Sequence, residues 1–153
     1  MRFREKSNEI RQVLGDAATI EHVGSSAVGI GGKNIIDILV GVKNPREAAD
    51  RLIAAGYFEG NDSHEDRIFL ASRQEETQAG DTHIHVCLKD SPVYCDFLIL
   101  RDYLRAHPEE AKAYEDHKHE FSEQANRDRK QYKKLKSAYV SELLKRAREA
   151  ANR

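Results

Sequence analysis

The stretch Glu21-His22-Val23-Gly24-Ser25-Ser26-Ala27-Val28-Gly29-Ile30-Gly31-Gly32-Lys33-Asn34-Ile35-Ile36-Asp37-Ile38-Leu39-Val40-Gly41-Val42 decides how this chain folds. From Asn34 to Val42 it is apolar on both faces except for Asp37, the pattern of a central strand covered on both sides. Ahead of it, Thr19-Ile20-Glu21-His22-Val23 is a β-branched stretch with partial alternation, ended by Gly24-Ser25-Ser26. A glycine-serine turn after a strand exposes backbone N–H groups and a hydroxyl where phosphate oxygens can come close. A strand arriving a dozen residues later can place Asp37 beside that turn, where a carboxylate would hold Mg2+ bridging triphosphate oxygens. A lone charge in an apolar strand is costly to bury unpaired, so Asp37 should face a cleft, a metal or a cation. The same residues also fit a plainer reading: Ser25-Ser26 caps a helix and Asp37 makes a structural ion pair.

Outward from this stretch, residues 4–15 are expected as a short helix with Ile10, Val13 and Leu14 on one face and Gly15 as the stop. Asn44-Pro45 turns the chain into a helix from Arg46 to Ala55, closed by Gly56. Tyr57-Phe58 and Arg67–Ala71 read as strands, Ser72 to Thr82 as a loop, and His83 to Leu88 as a strand with one polar and one apolar face. The remainder is helical: Asp96–Arg105, then Glu109–Asn126 opened by Pro108, then Asp128–Ala150 with Tyr132, Leu135, Tyr139, Leu143 and Ala147 spaced three or four apart. The order is α/β for the first 90 residues and helical afterwards, within a single domain of 153 residues.

A charged fraction of 33% against 39% hydrophobic fits a globular protein with exposed, charged helices, because apolar periodicity survives throughout. Cys87 and Cys95 are too few for a disulfide framework and, in apolar sequence surroundings, are expected as buried free thiols. No apolar run approaches the roughly 20 residues needed to cross a membrane, and the opening Met-Arg-Phe-Arg-Glu-Lys is no signal peptide, so the expectation is a cytoplasmic protein. Net charge is −1, but residues 127–153 carry +7, leaving −8 on the rest. Such asymmetry suits either a solvated helix face or a phosphate- or nucleic-acid-facing surface. The absence of interleaved exposed aromatics argues against nucleic acid.

Glu21-His22-Val23-Gly24-Ser25-Ser26-Ala27-Val28 and Lys33-Asn34-Ile35-Ile36-Asp37-Ile38 resemble the signature of the GrpB family, whose usual form is Glu-His-Val-Gly-Ser-Thr-Ala-Val-Pro-Gly-Leu and then Lys-Pro-Ile-Ile-Asp-Ile. Thr82-His83-Ile84-His85-Val86 resembles the family's His-x-His strand, and Leu100-Arg101-Asp102-Tyr103-Leu104-Arg105 its Phe-Arg-Asp-Tyr-Leu-Arg segment. Tyr114/Lys118 and Tyr132/Lys136 match its C-terminal Tyr-x-x-x-Lys pairs. The resemblance implies the nucleotidyltransferase superfamily: a small mixed β-sheet flanked by helices, here with a helical C-terminal part. It implies a nucleoside triphosphate bound with Mg2+ and transfer of a nucleotidyl or related group to a small acceptor. Asp37 and Ser25 would be catalytic, Asp37 the metal ligand, and Gly24, Ser26, Lys33, Arg67, His83, His85, Arg101, Lys118 and Lys136 the substrate-binding set.

The pattern is broken in one place that matters. The superfamily carries a second carboxylate two residues after the first, and here that residue is Leu39. Two-metal chemistry needs several carboxylates to hold ions roughly 3.5–4 Å apart. Glu21 or Asp96 could contribute a further carboxylate, although nothing in the spacing requires it, and Leu39 favours a rival reading, a nucleotide- or polyphosphate-binding module without turnover. The missing proline after Val28, Asn34 in place of another proline and the absence of the family's usual segment before Phe3 concern loop shape and an edge of the fold. His83 and His85, two apart, share a strand face from which they can bind metal, contact phosphate or act as an acid–base pair, though two ligands do not close a zinc site.

Overall fold

The β-branched and apolar runs do pair into a sheet. The computed structural model describes residues 2–29, 35–60, 66–72, 82–126 and 128–152, which pack as two compact units, Met1–Phe97 and Leu98–Arg153. The first unit begins with α1 (Arg2–Leu14), stopped by Gly15 at φ 88. It continues through β1 (Thr19–Val23), a one-turn α2 (Ser25–Val28), β2 (Ile36–Val42), α3 (Pro45–Ala54), β3 (Phe58–Glu59), β4 (Arg67–Ala71) and β5 (Thr82–Leu88). The sheet order is β1-β2-β5-β4-β3, and β2 with β5 is its parallel pair; the other neighbours are antiparallel. The mixed α/β architecture is the one expected.

Alternation divides the sheet into two faces. Ile36, Ile38 and Val40 of β2, Ile84 and Val86 of β5 and Leu70 of β4 pack against Ile10 of α1 and Ala48, Ala49 and Leu52 of α3 as the main core. The other face carries Asp37, Leu39 and Gly41 beside His83, His85 and Cys87. Leu39 and Cys87 are fully buried there. Burial pushes the Cys87 thiol up to about 11, so it stays protonated and inert. Over Gly41 lies the ring of Tyr94, whose hydroxyl donates to Thr19 Oγ1 at 3.1 Å. A β-carbon at Gly41 would sit 2.5 Å from that ring, which is why β2 carries glycine there.

Several boundaries differ from the sequence reading. α4 (Pro92–Ala106) starts at Pro92 rather than Asp96, because Ser91 Oγ accepts from the Tyr94 N–H and proline suits a first helical turn. Thr82 belongs to β5 and not to the preceding loop, of which residues 73–81 lie outside those described. Tyr57 precedes β3 instead of joining it. Cys95, expected buried, is exposed: it neighbours the buried Tyr94 on a helix, where successive side chains point about 100° apart.

α4 carries the chain into the second unit, which holds α5 (Pro108–Ala125) and α6 (Arg129–Ala151). These two pair antiparallel: Arg146 binds Glu110 at 3.0 Å, and Tyr139 packs against Tyr114, His117 and Phe121. Asn126 in the left-handed conformation ends α5, and Asp128 caps α6 by accepting from Lys130 N and Gln131 N. Lys130, Lys133 and Lys134 are exposed on α6. Among the described residues no helix is long and apolar enough to cross a membrane.

Candidate functional site

Strand pairing assembles the site at the end of the sheet where β1 leaves and β2 and β5 enter. In register, Val23 of β1 faces Asp37 of β2, which faces His83 of β5. One step along, Glu21 faces Leu39, which faces His85. Both imidazoles converge on one carboxylate oxygen: His83 Nδ1 lies 3.6 Å and His85 Nε2 3.5 Å from Asp37 Oδ1. Asp37 is 27% exposed, His83 29% and His85 17%. The His85 ring sits between Phe69 and Phe97, with centroids at 5.5 and 4.9 Å, and its Nδ1 is buried with no hydrogen-bond partner among the described residues.

The other carboxylate oxygen meets the turn. Gly24 has φ 77 and ψ −171, a backbone region that is essentially glycine's alone. A β-carbon there would lie 2.6 Å from Asp37 Oδ2, so only a residue without a side chain brings the chain this close to the carboxylate. Ser25 opens α2, its carbonyl accepting from Gly29 N, and Ser26 follows within the same turn.

Burial pushes the Asp37 carboxyl up, but hydrogen bonding and positive charge from His83 and His85 outweigh it and hold the group well below the usual carboxylate range. A carboxyl lowered on folding adds stability that is fully present above its unfolded value of about 3.9 and is lost as pH falls below it. Accordingly, Asp37→Asn should lower the urea midpoint at pH 6, with the gap to wild type narrowing steadily between pH 4 and pH 2. A gap that stays constant across that range would remove the ionic contribution assigned to these contacts.

Of the residues singled out in the sequence, the structure brings Gly24, Asp37, His83 and His85 together, with Ser25 and Ser26 on the adjoining turn. Lys33 lies outside the described residues. Arg67 pairs in register with Cys87, two residues from His85, and stacks over Phe97 at 5.6 Å. In the second unit, Arg101 donates from Nε to Asp102 Oδ1 at 2.9 Å, Lys118 Nζ lies 5.2 Å from the Tyr114 ring and Lys136 is half-buried on α6. Phe69 and Phe97 were missed. Alternation with Arg67 puts Phe69 on the site face, whereas Phe97 lies inside the expected helix, and no local pattern says that it meets the His85 ring.

The ion that the resemblance implies is Mg2+. Mg2+ wants near-octahedral oxygen ligands. Here one carboxylate is in place, its Oδ1 faced by two imidazoles and its Oδ2 against Gly24, and the position of a second carboxylate is the buried Leu39. No group of three or more His, Cys, Asp or Glu side chains among the described residues is arranged to hold a metal ion. The residues present do not fit a two-ion magnesium centre.

The family model for "GrpB protein" matches residues 1–146. A UPF0157 protein of Deinococcus radiodurans is 36% identical over 97% of this chain and 77% of that protein. The glutamate-rich protein GrpB of Alkalihalophilus pseudofirmus is 30% identical over 93% of this chain and 86% of its own length. The crystal structure of GrpB from Enterococcus faecalis superposes with a TM-score of 0.81 at 24% identity, covering 99% of this chain and 93% of the other. A cytoplasmic RNA terminal U-transferase gives a TM-score of only 0.49 at 20% identity, covering 79% of this chain and 39% of the other, too slight a likeness to carry chemistry across. With a family model spanning nearly its whole length and relatives above 30% identity, the chain belongs to the GrpB family.

Proposed function

We propose that this chain is a nucleotidyltransferase-like protein that binds the phosphates of a nucleoside triphosphate at the Gly24-Ser25 turn, beside Asp37 and the two histidines. The observation that carries the reading is the turn itself, a glycine-only backbone held against the one acidic side chain of a central strand. Backbone N–H groups at such a turn suit phosphate oxygens. Transfer of a nucleotidyl group to a small acceptor asks for more, since ions on both the attacking and the leaving oxygen need several carboxylates. Leu39, buried at 0% exposure, favours binding without that two-ion reaction.

Titrating ATP, CTP, GTP and UTP calorimetrically into the full chain, with Mg2+ and with EDTA, tests this. At least one should bind, and Gly24→Ala should weaken it about tenfold or more, equivalent to about 1.4 kcal/mol. Four silent titrations under both conditions would end the proposal.

A further inference from the structure

We propose that Asp37 anchors a histidine pair instead of ligating a divalent ion, with His83 meeting the ligand and His85 positioning the carboxylate. The assignment of His83 rests on the reading that this site takes a phosphate-bearing ligand; the assignment of Asp37 does not.

The argument starts from how the carboxylate is used. Oδ1 is shared by two imidazole nitrogens, and Oδ2 lies on the side of the Gly24 turn, 2.6 Å from where a β-carbon at Gly24 would sit. An ion seated on Oδ1 would compete with both imidazoles, and the buried Leu39 gives it no second carboxylate on β2.

The two histidines are not equivalent. His85 turns Nε2 to Asp37 and leaves Nδ1 buried between Phe69 and Phe97 with no partner among the described residues. A buried N–H without an acceptor costs its full desolvation, so in the neutral ring the one proton belongs on Nε2 and Nδ1 carries the lone pair. His85 thus acts through Asp37, as a positioning residue. His83 turns Nδ1 to Asp37, and its ring is the more exposed of the two, with the Phe69 ring edge-on to it, centroid to centroid 5.0 Å. Its far nitrogen, Nε2, remains for a ligand, donating to a phosphoryl oxygen in the imidazolium form. The site then supplies from imidazole the donor that a bound cation supplies elsewhere.

Long-range 1H–15N correlation spectra of the 15N-labelled full chain read both tautomers directly. His85 should appear with its proton on Nε2, and both histidines should be unmoved by millimolar Mg2+ and not broadened by equimolar Mn2+. Selective broadening of His83 and His85 by Mn2+, or a His85 proton on Nδ1, would overturn the assignment of Asp37 whether or not any nucleotide binds. With a triphosphate that binds in EDTA, His83 resonances should shift and His83→Gln should weaken binding about tenfold, while His85→Gln weakens it less. Equal losses, or binding that needs Mg2+, would overturn the assignment of His83. If no triphosphate binds, the phosphate-binding reading of the turn fails, and the assignment of His83 with it. The Mn2+ and tautomer results still decide the role of Asp37.

Discussion

Leu39→Asp, which restores the carboxylate pattern of the superfamily, should cost about 4 kcal/mol or more instead of creating a metal site. Leu39 is 0% exposed and lies between Glu21 and His85 in register. Removing a buried leucine side chain costs about 2–5 kcal/mol through lost transfer energy and the cavity left behind. An uncompensated buried carboxylate adds several kcal/mol more, reduced where the group takes up a proton. At this chain length each kcal/mol lowers Tm by about 2–4 °C, so the melting temperature should fall by about 10 °C or more. Leu39→Asn separates the two causes, since it keeps the shape and removes the charge, and it should be the milder variant. Mg2+ should leave the Leu39→Asp melting temperature unchanged. A variant as stable as wild type, or one that Mg2+ stabilises, would mean that position 39 opens onto an ion site and that the loss of catalysis inferred from it is wrong.

The parts of this fold that could be read in the sequence are those fixed by local pattern. β1 and β2 were legible because Thr19–Val23 is β-branched and Ile36–Val42 is apolar on both faces, as a strand with partners on both sides must be. The start of α4 was not, because Val93, Tyr94 and Cys95 are strand-prone side chains whose helical state is set by the Ser91 cap and by tertiary burial of Val93 and Tyr94. At the site, spacing alone put His83 and His85 on one face. Their meeting with Asp37 depends on the parallel pairing of β2 with β5, across 46 residues of chain, and no local pattern encodes that. Leu39 was visible as a departure, but whether it faced solvent, a ligand or a core is a property of what covers the sheet.

Gly24→Ala should cost about 3 kcal/mol, against about 1 kcal/mol for Gly29→Ala, although both glycines have nearly the same positive φ. Gly29 at φ 82 and ψ 20 is left-handed at the end of α2, and a β-carbon there meets nothing within 4 Å among the described residues. Its substitution pays only the backbone preference, about 1–2 kcal/mol. Gly24, with ψ −171, occupies a region still less open to other residues, and its added carbon would lie 2.6 Å from Asp37 Oδ2 and 2.9 Å from Asp37 Cβ. The carboxylate cannot swing aside freely, because moving Oδ1 loosens its contacts to both His83 and His85. The strain of Gly24→Ala therefore spreads into the site, whereas that of Gly29→Ala stays local. Urea midpoints of the two variants measure the difference, and the nitrogen shifts of His83 and His85 should move in Gly24→Ala alone. Equal destabilisation, with both histidines undisturbed, would show that the turn does not press on Asp37 and would take away the observation on which the phosphate-binding reading rests.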